Sequence, residues 1–269
     1  MTNAAHPSDQ ELGLAAERTV YTYSWAFEGE RETILDTGDA LVHILDVPWF
    51  GNDGFAGRLI LDPETAEQRL DAVLELSEDG CRRFVWITGP STAPANLGDL
   101  LAARGLAPRI VWEGLALRDL SWPYPDPPGV TVHQLSADSV ETYANLCIEH
   151  GKTHDETVRS ERLAAARRLV ESGQREAQVF IAYVDGEAAG CSVLRVEPDG
   201  IAYLRNAFTM ASYQRRGVYV AMVGARLALA RERGCVAAVV QAQRHSSAPI
   251  LKKRGFFKVC DLVGHERVP

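Results

Sequence analysis

The sequence predicts a mixed α/β (α+β) protein of two domains, each a mixed, mostly antiparallel sheet flanked by helices. Three observations carry the prediction. The 269 residues, 46% of them apolar, exceed the roughly 100–200 residues of one typical domain while keeping the composition of a packed globular chain. Pro123, Pro125, Pro127, Pro128 and Gly129 interrupt the chain, and proline continues neither a helix nor an inner strand. After that interruption, turn residues join β-rich runs, and a long helix then makes one crossover, so antiparallel hairpins precede a parallel unit. The boundaries placed on this basis are residues 1–122, a stiff extended linker over 123–129, and 130–269.

Taken in order, the first dozen residues are polar and read as frayed. Asp39 to Val47 alternates as a strand, Gly51-Asn52-Asp53-Gly54 reads as a turn, and Arg58 to Leu61 as a second strand. Asp62-Pro63-Glu64 opens a helix that carries Leu70, Val73 and Leu74 inward. A strand over Arg83 to Thr88 follows, then a helix over Asn96 to Arg104 stopped by Gly105, then a strand over Ile110 to Leu117. Trp49, Phe50, Trp86 and Trp112 read as packing residues, since large aromatics dominate buried contacts.

Beyond the linker, Val130 to Gln134 alternates as a strand, and Val140, Tyr143, Ala144 and Cys147 share one helix face. A polar stretch leads to a second helix with Leu163, Ala166 and Leu169 or Val170 inward. Asp185-Gly186 signals a tight hairpin between Val179–Val184 and Ala188–Val196. Pro198-Asp199-Gly200 turns the chain into Ile201 to Met210. A long helix to Arg233, a strand over Val236 to Gln241, a short helix near Pro249 to Lys253 and a last strand from Phe257 complete the order β-α-α-β-β-β-α-β-α-β.

Charge and cysteine usage exclude several classes. With 28 basic against 36 acidic side chains the net charge is −8, which argues against nucleic-acid partners. The longest apolar stretch, Val218 to Val240, contains Arg226, Arg231, Glu232 and Arg233, so no membrane partner is expected. The N-terminus shows no signal-peptide pattern, and the five cysteines are scattered without a C-x-x-C pair. A cytoplasmic location follows as the expectation.

The chemistry concentrates where a strand gives way to the long helix, at Met210-Ala211-Ser212-Tyr213-Gln214-Arg215-Arg216-Gly217-Val218-Tyr219-Val220. Backbone N–H groups at a helix start form an anion site, and Gln214, Arg215 and Arg216 add donors and positive charge. Gly217 permits close approach of the chain to a phosphate. The competing reading is a solvated turn whose arginines make surface ion pairs.

Gln214-Arg215-Arg216-Gly217-Val218-Tyr219 resembles the Q/R-x-x-G-x-G/A loop of the GNAT superfamily of acyl-CoA-dependent N-acyltransferases. Ser247 to Phe256, ending in Gly255-Phe256, is similar to that family's late helix, and the element order agrees from about Val130 onward. The segment from about Ala40 to Leu120 looks like a degenerate second copy without the loop, as in tandem members. The resemblance implies acetyl-CoA as co-substrate. Backbone groups of Ala207, Phe208 and Thr209 would pair with its pantetheine arm, and amides from Gln214 to Tyr219 would hold its pyrophosphate. An amine would attack the thioester directly, with an N–H near Phe208 or Thr209 holding the oxyanion.

The resemblance departs at two positions. Tyr219 stands where the family has Gly or Ala, and Leu251 stands where many members carry a tyrosine that protonates the leaving thiolate. His245, Ser246 and Tyr219 are the candidate substitutes, each also readable as a cap, a loop hydrogen bond or packing. Glu149, His150 and Asp155 are candidate acceptor-binding residues, with His154 a candidate proton acceptor. His150 and His154 have helical metal-pair spacing, but Gly151 and the lack of a third ligand argue against a metal. Three functions stay open: an N-acetyltransferase acting on a small amine, a catalytically weak acyl-CoA or CoA-binding regulator, and an interaction scaffold without CoA. A homo-oligomer is compatible with each.

Overall fold

The computed structural model describes residues 6–21, 32–47, 51–78, 83–121, 123–124, 127–152, 155–174 and 177–267. Trp49, Phe50 and His154 lie outside these. The chain forms two compact units: one takes in Ala116–Val240 and Ile250–Phe256, the other Ser8–Leu115, Gln241–Pro249 and Phe257–Pro269. The element order after the linker is the one expected, and the class is mixed α/β with mostly antiparallel strands.

The unit rich in N-terminal residues holds α1 (Asp9–Tyr21), β1 (Glu32–Asp36), β2 (Leu41–Val47), β3 (Gly51–Gly57), α2 (Ala66–Glu78), β4 (Arg83–Thr88), α3 (Leu97–Ala103) and β5 (Leu106–Leu117). Its strands lie in the order β1-β2-β3-β4-β11-β5, where β11 is Phe257–Arg267. Thus the division differs from the one the prolines suggest: the final strand runs antiparallel to β4, with Val263 opposite Thr88 and His265 opposite Trp86. Leu59, Leu70, Trp86, Leu97 and Leu101 form its core.

Three local expectations are corrected here. The frayed N-terminus is instead α1, started by a reciprocal capping box in which Ser8 N donates to Glu11 Oε2 (2.7 Å) and Glu11 N to Ser8 Oγ (3.2 Å). Its Leu12, Ala16 and Glu17 are fully buried. Gly51 to Gly54 is not a turn but part of β3, which is hydrogen-bonded antiparallel to β2 and parallel to β4. Pairing with β2 along the whole stretch, joined by β4 from Asp53 onward, holds these turn-prone residues extended. Arg58 to Leu61 then leaves the sheet and makes only an isolated bridge, Ile60 to Ala93.

The other unit contains β6 (Val130–Gln134), α4 (Val140–Gly151), α5 (Glu156–Glu171), β7 (Gln178–Val184), β8 (Glu187–Val196), β9 (Ile201–Thr209), α6 (Val218–Glu232), β10 (Ala237–Gln243) and α7 (Ser247–Lys252). The sheet order is β10-β9-β8-β7-β6. All pairs are antiparallel except β10 with β9. Helix α6 buries Val218, Met222, Val223, Leu227 and Ala230, together with Arg226.

The proline-rich segment is not a free spacer. A Cβ on Gly217 would meet Pro127 Cγ at 2.5 Å, and one on Gly224 would meet Tyr124 Cβ at 2.9 Å. The Tyr124 hydroxyl donates to Arg254 O at 3.2 Å. The segment is therefore docked along one side of α6.

Candidate active site

Strands β9 and β10 pair through Ile201–Ala237, Ala202–Ala238 and Tyr203–Val239. Past Tyr203 the pairing stops while β9 runs on to Thr209, so its edge toward β10 is open. On the other side, β8 follows β9 out to Gly190–Thr209 through a register shift between Cys191 and Val193. Opposite that shift Asn206 takes a left-handed backbone (φ 42°), a conformation asparagine adopts more readily than most residues. The bulge turns the end of β9 and leaves main-chain groups of Ala207, Phe208 and Thr209 beside the fork.

Arg226 secures the bulge from beneath. Its guanidinium, 1% exposed, donates to Met222 O (3.0 Å), Val193 O (3.3 Å) and Arg205 O (3.4 Å). These are carbonyls on its own helix and on both bulged strands. Burial pulls its pKa down to about 10, so the charge persists at neutral pH. Gly190 completes the arrangement, because a Cβ there would overlap Phe208 O and lie 3.1 Å from Thr209 Cα.

The Gln214–Gly217 turn leads from β9 into α6. Arg215 (φ 63°) and Gly217 (φ 83°) are both left-handed, a backbone that gathers successive N–H groups into a concavity. Ala221 N donates to Gly217 O (3.0 Å), so the amides of Val218, Tyr219 and Val220 precede the first helical bond and are the open donors of a helix start. Arg216 is committed to Asp185 Oδ2 (2.7 Å), which bears out the ion-pair reading for that residue. The exposed Arg215 guanidinium has no partner among the described residues. Gly217 is needed here for a reason the motif did not reveal: its missing Cβ makes room for Pro127.

These features suit a CoA thioester. Amides and Arg215 can hold a pyrophosphate, and an open strand edge can pair with the amides of a pantetheine arm. The buried Oγ1 of Thr209, at the open end of β9, has no hydrogen-bond partner among the described residues, which leaves polar capacity for a ligand there. Among its described residues, the other unit has no such fork. There β3 and β4 stay paired to Ala56–Trp86, and the chain beyond remains bonded, Leu61 N to Ala93 O and Ala93 N to Leu59 O (both 2.9 Å). Asp62 Oδ1 accepts from Glu64 N (2.8 Å) ahead of α2, placing a carboxylate at the equivalent turn.

The remaining sequence candidates divide. His150, in the last turn of α4, stacks on Phe208 with centroids 3.9 Å apart and planes 5° apart. Burial lowers its pKa. Glu149 is exposed beside it. Asp155 caps α5, accepting from Thr157 N (2.7 Å) and Val158 N (3.2 Å), and those bonds hold its carboxyl below the ordinary range. Tyr219 packs against the Ala182, Val184, Val218 and Met222 cluster. Leu251 is buried. His245 and Ser246 lie exposed between β10 and α7, where Ser246 Oγ donates to Gln243 Oε1 (2.9 Å); that turn groups with the other compact unit. Gly190, Asn206 and Arg226 were not singled out from sequence. An isolated glycine inside a strand signals a bulge or close backbone approach, and an arginine on an apolar helix face signals a buried polar task.

Residues 141–256 match the model of the Acetyltransferase (GNAT) family. A solved GCN5-related N-acetyltransferase from Kribbella flavida is 15% identical with a TM-score of 0.66, covering 94% of this chain and 96% of its own. A second, from Sphaerobacter thermophilus, gives 15% and 0.63, covering 98% and 95%. A tandem GNAT protein from the clavulanic acid biosynthesis pathway gives 14% and 0.59, covering 97% and 94%. No curated protein matches in sequence.

Proposed function

Since residues 141–256 match the model of the Acetyltransferase (GNAT) family, we propose that the chain moves the acetyl group of acetyl-CoA onto an amine of a small molecule. The observation that carries this reading is the β9–β10 fork, opened past Tyr203–Val239 and adjoined by the Gln214–Val218 amide loop. In this reading Arg215 and the amides of Arg215 to Tyr219 hold the pyrophosphate, and backbone groups of Ala207 to Thr209 pair with the pantetheine. The amine nitrogen attacks the thioester carbon, and a C–N bond replaces the C–S bond. The sulfur departs as thiolate with its bonding pair, while an N–H near Phe208 or Thr209 holds the developing oxyanion.

The buried Leu251 supplies no acid. A thiol pKa near 8.5, as for free cysteine, makes the thiolate an adequate leaving group that takes its proton from solvent. His245, Ser246 and Tyr219 stay as alternative donors. Leu251 also favours a second reading, a CoA-binding regulator of weak activity.

The test is calorimetric titration of acetyl-CoA and CoA, followed by thiol release with lysine, spermidine, tyramine, an aminoglycoside and an alanine-initiated peptide. Arg215→Ala is the control, because it removes charge without moving the strap over Gly217. Micromolar binding, weakened about three- to tenfold by Arg215→Ala (roughly 0.7–1.4 kcal/mol), together with turnover of an amine, is the expected outcome. Binding without turnover favours the regulator. Absence of binding overturns both.

A further inference from the structure

We propose that His150 is the general base that takes the proton from the attacking amine. The inference rests on the acetyl-transfer reading above and assigns one step of it to one side chain. Phe208 belongs to the open end of β9, where the thioester would lie, and Cys191 on β8 is its cross-strand partner. The imidazole of His150 lies flat on the Phe208 ring. That contact fixes the plane of the imidazole, and neither ring nitrogen makes a hydrogen bond to a described residue. A base that is held in place, partly solvent-facing and uncommitted is what an incoming ammonium needs within direct or water-bridged reach.

The surroundings suit the task. Most primary amines are cationic at neutral pH, with a pKa near the lysine value of about 10, so a proton must leave before the nitrogen pair can attack. Partial burial lowers the imidazole pKa, which favours the neutral form that can accept a proton. Burial is the cause of that shift, while the α5 cation on this side, Arg162, acts on the Cys147 and Cys191 thiols. The carbonyl end of α4 favours the imidazolium once it forms. In the complete step one ammonium proton passes to an imidazole nitrogen and on to water, the C–N bond forms as the C–S bond breaks, and the nitrogen gives up its second proton to solvent as the departing thiolate takes one up. The Cys147 and Cys191 thiols behind Phe208 are buried and take no part.

Two substitutions separate base from scaffold. His150→Phe preserves an aromatic stack on Phe208 and removes the proton acceptor, whereas His150→Gln removes both. With the panel amine that the native protein acetylates fastest, kcat/KM is expected to fall about 10²- to 10⁴-fold in both variants at neutral pH. Activity should recover toward high pH as free amine becomes available, with the acetyl-CoA Kd unchanged. Native-like activity and pH profile in His150→Phe would overturn the proposal. Loss of acetyl-CoA affinity in both variants would also overturn it, by showing that the ring supports the strand. If the native protein binds acetyl-CoA but acetylates no amine, the transfer reading itself fails, and His150 has no such step to serve.

Discussion

At the scale of single residues, main-chain access at the site depends on side chains that are absent. Gly190 lies against the carbonyl of Phe208, so Gly190→Ala forces β8 and β9 apart where their backbones approach most closely. Overpacking of this kind costs about 1–3 kcal/mol, and here it acts on the strand end proposed to pair with the pantetheine. Gly190→Ala is expected to weaken acetyl-CoA binding at least tenfold while leaving a folded protein, measured by calorimetry alongside thermal melting. Gly217 behaves differently. Its left-handed backbone and the Pro127 contact make any side chain there a perturbation of both the loop and the strap, so a Gly217 variant cannot separate phosphate recognition from folding. Arg226 shows a third kind of dependence: a buried charge satisfied by carbonyls keeps a bulge in one geometry.

At the scale of elements, ion pairs tie helices to strand ends. Arg69 of α2 donates to both carboxylate oxygens of Asp39, just ahead of β2 (2.5 and 3.0 Å), and this pulls Asp39 from 3.8 to about 2. A carboxyl with a depressed folded pKa contributes stability that is present above the unfolded value and lost as pH falls through the folded one. Asp39→Asn is therefore expected to cost about 1–2 kcal/mol at pH 7, allowing for the solvent-facing Arg69. Denaturant melts should show that cost vanishing between about pH 4 and pH 2. The element pattern is legible wherever it rests on local chemistry: the Asp185-Gly186 hairpin, the amphipathic face of α4 and the end of the long helix at Arg233 all follow from neighbouring residues. It failed where distant pairing decides. Turn-prone Gly51 to Gly54 becomes strand because β2 pairs with all of it and β4 with Asp53 and Gly54 from the other side. The same division runs through the site. The amide loop is a contiguous motif and could be read directly. The fork depends on where two strands stop pairing, and the His150–Phe208 stack on a fold that brings a helix end to a strand end. The capping box of α1, Ser8 to Glu11, is written in the local sequence as well, as are Gly190 within a strand and Arg226 on an apolar helix face.

At the scale of the whole molecule, the two units do not follow the order of the chain. Strand β11 comes after every element of the family domain, yet it lies between β4 and β5 in the sheet of the other unit. Deletion of residues 257–267 should therefore unfold the unit of β1–β5 first and spare the pairing of β9 with β10, Ile201 with Ala237 and Tyr203 with Val239. Hydrogen exchange would show β4 amides deprotected and β8 and β9 amides still protected; the reverse order of loss would contradict the topology. The interleaving also sets a timetable for biosynthesis. Thr88 reaches its neighbour Val263 across 175 residues of chain, and contacts of such separation form late. While the ribosome is still making the family domain, β4 and β5 have emerged without the strand that belongs between them, and their edges are open to other nascent chains. The half of the protein translated first is completed last, and a polypeptide released short of Phe257 would carry that unfinished sheet into the cell.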